Sequence, residues 1–220
     1  MLAIRTNQHA VAAWWKSPEL ISYTDISALL FQVQVNETLP DNKVRELRRA
    51  YYSAVSWIDS LVGVVLNELN RLGLSNNTVV SLLGNHRYQL REHGMWNKHT
   101  NFELATHAPM MIRIPGLTDN GMITERVLEF LAEAYPEVCE SLMLLVHNAT
   151  AAWKHSALSQ YPRHKHGVDI MGYSLRTDKY RNHGTELYNY TTDPDENHKV
   201  ASNHGFADLA RSLSSRLHAG

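Results

Sequence analysis

The chain has 220 residues, 44% of them hydrophobic and 20% charged, a composition ordinary for a globular protein long enough to bury a core. Its 21 basic and 22 acidic side chains leave a net charge of −1, which gives no electrostatic case for nucleic acid or an anionic membrane. No apolar stretch reaches membrane-spanning length, and the single cysteine, Cys139, excludes an internal disulfide.

Thirteen histidines are the one compositional oddity; they fit either scattered surface positions or sites that respond to metal or mild acid. The first residues, MLAIRTNQHAVAAWWKSPEL, carry no apolar run behind a basic segment and do not read as a signal peptide. Asn36, Asn76, Asn148 and Asn189 each head an Asn-x-Thr glycosylation sequon, which points the other way, toward a secretory setting.

Residues 1 to 40 read as irregular, punctuated by Pro18 and Pro40, with a strand-like run, LLFQVQV, at 29 to 35. From Asp41 the pattern changes. Val44, Leu47, Tyr51, Ile58, Leu61 and Val65 share one helical face, which predicts a helix over about 42–72. Asp41 or Asn42 is the candidate cap, and Gly73 the left-handed stop. TVVSLL at 78–83 and PMMIRIPG at 109–116 are continuous apolar runs, which predict buried strands covered on both faces. ITERVLEFLAEAYPEVCESLML predicts a helix from Thr124 through about Leu145, broken near Pro136.

Residues 147–168, rich in His, Lys, Ser and Pro, read as a connecting region. DIMGYSLRTDKYRN and TELYNYTTD follow as two strands of a hairpin-type sheet, and FADLARSLSSRLHAG as an amphipathic C-terminal helix. The order of elements is that of an α/β layered fold. It divides into an irregular segment 1–40, an α/β part 41–146, and a small α+β subdomain 147–220 with an antiparallel sheet.

The chemistry concentrates between the two apolar runs. In open α/β sheets, ligands bind beyond the carboxyl ends of the strands. Asn85 and His86 lie there, offering an amide oxygen and an imidazole nitrogen as potential metal ligands. Lys98 and His99 follow within reach if the loop folds back, and Lys98 is placed to neutralise an anionic ester oxygen. Local chemistry also allows Asn85 as a left-handed turn former and Lys98 as a solvated lysine. His86, His93, His99 and His107 match no short zinc-ligand spacing.

The stretch LGNHRYQLREHGMWNKHTNFELATHAP resembles the sulfatase family of the alkaline-phosphatase-like superfamily, the iduronate-2-sulfatases in particular. There the pattern runs Ser-Asp-His-Gly, aromatic, Leu-Gly-Glu-His-Gly, Trp, Lys, Asn-Phe, Ala-Thr, then Pro and a strand. Flanking stretches match on both sides, among them RRAYYSAVSWIDSLVGVVLNELNRLGLSNNTVV, MGYSLRTDKYR and TELYNYTTDPDEN. The resemblance implies the alkaline-phosphatase-like sulfatase fold, with 41–146 as the C-terminal part of its main α/β domain and 147–220 as its C-terminal subdomain. It also implies sulfuric ester hydrolysis on glycosaminoglycan-type substrates, a calcium ion held largely by carboxylates, and a lysosomal or secreted location.

Residue by residue, Lys98 matches the active-site lysine that contacts sulfate or the leaving group. Asn85 stands where the family has an acidic calcium ligand, with His86 beside it, so the implied metal site is degenerate. Arg87 replaces a glycine and, with His99, is a candidate substrate contact. The departures are large. The family's nucleophile arises from Cys-x-Pro-Ser-Arg, whereas Cys139 sits in Val-Cys-Glu-Ser-Leu, and no Asp-Asp pair occurs. The chain is therefore expected to be inactive alone. The expected partners are the missing N-terminal sulfatase half or, as a sulfatase-derived pseudoenzyme, a sulfated glycan. Open strand edges and apolar faces also predict poor solubility as a monomer. A metal-dependent phosphatase ranks last, since no set of carboxylates with a hydroxyl nucleophile is found.

Overall fold

The computed structural model describes residues 18–28, 39–124, 126, 142–165 and 168–219. The run at 29–35, Asn36, Cys139 and most of the helix expected from Thr124 lie outside them. The chain gathers into two compact units. One holds the described residues up to Gly84 with Tyr88–Asn97 and Pro109–Gly121; the other holds Asn85–Arg87, Lys98–Ala108 and the described residues from Met122 onward.

In the first unit, two single-turn helices, α1 (Pro18–Ile21) and α2 (Thr24–Ser27), occupy a stretch expected to be irregular. One turn of helix is not stable by itself, so packing must hold it. Leu20 and Ile26 supply that packing, buried in one apolar cluster with Leu39, Val44, Leu90 and Trp96. The long helix α3 runs Asp41–Arg71, as the apolar spacing predicts. Pro40, rather than Asp41 or Asn42, takes the N-cap position, with no side-chain cap bond. Asp41 is then the first helical residue, where its charge suits the positive helix end, and it pairs with Arg91 at 2.6 Å. Gly73 has φ +70, and its N–H and that of Leu74 donate to the Asn70 and Leu69 carbonyls, closing a Schellman cap.

Strands β1 (Val80–Leu83) and β4 (Met110–Arg113) pair antiparallel, Leu83 opposite Met110. The expectation that they are covered on both faces does not hold, because Leu83 is 39% and Met111 58% exposed. Among the described residues their ladder has two strands, too narrow to carry a packed layer on each side. Between them in sequence, β2 (Gln89–Leu90) and β3 (Trp96–Asn97) form a second short ladder. It is tied to the first turns of α3, where Arg48 Nε donates to the Leu90 carbonyl at 2.9 Å and Tyr51 stacks on Tyr88.

The second unit contains α4 (Glu103–Thr106), α5 (Met143–His147) and a four-stranded antiparallel sheet in sequence order. Its strands are β5 (Ser156–Lys165), β6 (Val168–Thr177), β7 (Tyr180–Asn182) and β8 (Leu187–Asn189). About half of the stretch read as a connecting region, 147–168, is therefore strand. Pro162 made it look otherwise, yet β5 is the edge strand, where a missing N–H can face outward without removing a ladder bond. Thr124 and Arg126 are not helical; the Thr124 hydroxyl donates to the Ala149 carbonyl instead. The C-terminal helix α6 (Ala207–Ala219) buries Leu213 and Leu217 against Leu175 and Leu187. Each such leucine contributes about 1.5–3 kcal/mol when fully buried.

Candidate functional site

The residues singled out by sequence, Asn85, His86, Arg87, Lys98 and His99, all fall in the second unit, carried by two short segments of the long loop. One backbone bond joins these segments, from the Arg87 N–H to the Ala105 carbonyl at 2.9 Å. His86 Nδ1 lies 2.9 Å from the Arg87 carbonyl oxygen. A carbonyl only accepts, so in the neutral ring Nδ1 carries the proton and Nε2 the lone pair. Asn85 and Arg87 are exposed, whereas Lys98 and His99 are partly covered. The His99 ring stacks on Tyr161 of β5 with centroids 5.4 Å apart and planes 18° from parallel.

Behind Lys98 the loop is held by a buried charge network that no local sequence pattern announced. Glu103, the first residue of α4, accepts from Arg181 Nη2 at 2.5 Å and from Arg176 Nε at 3.2 Å. The Glu103 N–H donates to Glu196 Oε2 at 2.7 Å, and Glu196 Oε1 lies 3.3 Å from Arg181 Nε. Arg181 also reaches the Asn101 carbonyl, and Asn101 Nδ2 donates to the Gly172 carbonyl at 2.8 Å. Thus β6, β7 and the turn at Glu196 grip residues 101–103, two to five positions from Lys98 and His99. The side chains of Glu103, Arg181 and Glu196 are all less than 10% exposed.

Burial by itself pushes the Glu196 carboxyl up, but the His183 imidazole 3.8 Å away and the Arg181 guanidinium more than offset this, holding it below the usual carboxylate range. Glu196 also takes a left-handed backbone, φ +53, a conformation uncommon outside glycine that persists where surroundings over-determine it. Gly172 supplies close approach rather than a special φ. A Cβ added there would lie 3.3 Å from Asn101 Nδ2 and 3.4 Å from the Tyr161 carbonyl. Gly172→Ala is accordingly expected to loosen the Asn101 anchor and destabilise by about 1 kcal/mol, read as a lower denaturant midpoint at unchanged slope.

The turn-former reading of Asn85 is not supported by the backbone. The non-glycine residues with left-handed φ in the loop are Arg91, His93 and Asn97. Nor does the donor set fit a calcium ion. Calcium takes six to eight oxygens, several from carboxylates. Asn85 and His86 offer one oxygen and one nitrogen, and among the described residues no group of three or more His, Cys, Asp or Glu side chains is placed to hold a metal. What the loop does present is an imidazole, an amide and basic side chains, a set suited to the oxygens of an anion. Of the sequons, Asn76 and Asn148 are exposed, whereas Asn189 lies within β8 and is half-buried.

The Sulfatase family model matches residues 12–131, 120 of the 220 residues and the whole of this loop. The chain belongs to the sulfatase family. Mouse Iduronate 2-sulfatase is 38% identical over 94 residues, 43% of this chain and 17% of that protein. A Sulfatase of Formosa agariphila is 28% identical over 186 residues, covering 79% of this chain and 36% of its own length. A putative sulfatase structure from Bacteroides thetaiotaomicron superposes with a TM-score of 0.73 at 18% identity, over 83% of this chain and 44% of that one. This likeness shows the fold, which is the α/β sulfatase fold of the alkaline-phosphatase-like superfamily. The chain spans less than half the length of these sulfatases.

Proposed function

We propose that the chain supplies the anion-contacting wall of a sulfatase-type site, engaging the sulfate of a glycosaminoglycan-type ester without hydrolysing it alone. The observation that carries this reading is the buried clamp of Glu103, Arg181, Arg176 and Glu196 behind the loop of Lys98 and His99. Ordering a lysine-bearing loop costs conformational entropy and takes charges out of water, and such an arrangement suits a site whose geometry matters. In this reading Lys98 faces the ester or leaving-group oxygen, Arg87 and His99 contact sulfate or sugar, and His86 Nε2 with the Asn85 amide completes the polar rim. Arg87 adds positive charge where the family has glycine, favouring an anion over a cation.

Hydrolysis asks for more. Sulfate ester cleavage in this family runs through an activated nucleophile, and charge-stabilising groups alone leave only a residual effect. Neither the Cys-x-Pro-Ser-Arg motif nor an Asp-Asp pair is present in the 220 residues. The kinship with Iduronate 2-sulfatase supports sulfated glycosaminoglycans as the substrate class and a lysosomal or secreted setting. Retention on a heparin column tests the binding half of the proposal. The chain is expected to elute well above the salt needed for Lys98→Ala/Arg87→Ala, and absence of retention at low salt would overturn it.

A further inference from the structure

Helix α5 ends at Asn148, whose backbone leaves the helix at φ −150 and ψ 101. Asn148 opens an Asn-Ala-Thr sequon, and both Asn148 and Thr150 are exposed. The turn that follows folds this sequon onto itself. Asn148 Oδ1 accepts from the Thr150 N–H at 3.0 Å and from the Thr150 hydroxyl at 2.8 Å. An Asx turn is thus closed a second time by the hydroxyl that defines the sequon. Both donors sit on the oxygen, so Nδ2 is left without a hydrogen bond among the described residues. They also polarise the amide toward its oxygen, which makes an Nδ2 proton easier to lose. The backbone beneath is anchored: the Thr124 hydroxyl donates to the Ala149 carbonyl at 2.9 Å, Arg126 Nη2 to the Thr150 carbonyl at 3.1 Å, and Trp153 is buried. One helical turn before Asn148, Leu144 is 50% exposed, and Met143 beside it 41%. Asn189 supplies the contrast. It is half-buried in β8 opposite Tyr180, directly after the fully buried Leu187 and Tyr188. Its Oδ1 takes the Thr191 N–H at 3.1 Å but not the Thr191 hydroxyl.

We infer that Asn148 is an N-glycosylation site of this chain and that Asn189 carries no glycan in the folded protein. The co-reactant is a lipid-pyrophosphate-linked oligosaccharide of the secretory compartments. Nδ2 gives up one proton and bonds to C1 of the first sugar; the bond from C1 to the pyrophosphate oxygen breaks, and the lipid pyrophosphate leaves. An exposed turn at a helix end accommodates so bulky a substituent without disturbing the packing below it. At Asn189 the same sugar would press on the ladder between β7 and β8 and on the core residues that precede it. On α5 the oligosaccharide covers Leu144 and Met143, giving exposed apolar side chains a polar shield. The inference requires passage through a secretory compartment, the setting proposed above, and is independent of any anion contact by Lys98.

The test produces the full 220-residue chain in cultured animal cells behind a cleavable secretion leader, which takes natural location out of the question. Leader-cleaved chain from the medium and from the cells is treated with peptide N-glycosidase in heavy-oxygen water, which turns each glycosylated asparagine into a labelled aspartate. Label is expected at position 148 in most molecules and is expected to be missing at 189 in secreted chain. Asn148→Gln and Thr150→Ala are each expected to abolish the label in that peptide, with the matching gain in gel mobility, whereas Thr150→Ser, which keeps the hydroxyl, retains it. An unlabelled position 148 in leader-cleaved chain, secreted or retained, would overturn the inference, because leader cleavage proves entry whether or not the chain folds. Equal labelling at 148 and 189 in secreted chain would overturn it as well. Heparin retention of the Asn148→Gln chain reads the Lys98 loop separately, so failure of either reading is visible apart from the other.

Discussion

Arg181→Ala is expected to destabilise the second unit by about 3–5 kcal/mol, because it strands two buried carboxylates at once. Arg181 pairs with Glu103 at 2.5 Å and with Glu196 at 3.3 Å, and its side chain is 4% exposed. Water cannot replace it without separating β7 from the loop that Arg181 holds. The same change frees the Asn101 carbonyl, which Arg181 Nη1 otherwise holds. Lost heparin retention should therefore accompany the lower denaturant midpoint. The effect is expected to be strongly non-additive with Glu103→Gln, since neutralising the stranded carboxylate removes much of the penalty. A loss below about 1 kcal/mol, or simple additivity of the two changes, would show that the network is not the clamp described.

Acid provides the second large effect, and its sign follows from Glu196. The folded-state carboxyl is held below its ordinary value, chiefly by His183 and Arg181 acting against burial. A depressed carboxylate contributes stability above its unfolded value, near 4.3, and loses it as pH falls through the folded value. Glu186 behaves alike: burial raises it, and Lys199 with the Tyr188 hydroxyl more than compensates, so it too is held low. The stability advantage of the wild type over Glu196→Gln should then stay constant between pH 7 and about 5 and shrink below about pH 4. An advantage that grew toward acid would mean that Glu196 is held up rather than down. Paired denaturant titrations at several pH values decide between them.

Parts of this molecule were legible from sequence because their signals are local. The 3.6-residue apolar period and Gly73 delimit α3 to within a residue or two of the observed Asp41–Arg71. The apolar runs of β1 and β4 were equally clear as strands but misleading about burial, since a continuous hydrophobic run reports a covered strand and cannot say which polypeptide covers it. Strand β5 was hidden by His, Lys and Pro162, residues that an edge strand tolerates and a central strand does not.

The loop stood out in the sequence as a candidate site through Asn85, His86 and Lys98 and its likeness to sulfatase stretches, whereas its structural support did not. Glu103 lies 73, 78 and 93 positions from Arg176, Arg181 and Glu196, so no periodicity or spacing links them. Only the likeness of MGYSLRTDKYR and TELYNYTTDPDEN to sulfatase stretches marked those segments as belonging with the loop. Left-handed Asn85 was a sound expectation from residue chemistry. The observed strain sits instead at Arg91, His93 and Asn97, where packing decides it.

The most direct measurement is turnover by the purified 220-residue chain on a fluorogenic aryl sulfate, with and without calcium. The expected result is no release above buffer in either condition, because the polar wall lacks an activated nucleophile. Calcium-dependent release that disappears in Lys98→Ala would contradict it, showing a complete sulfatase site within this chain.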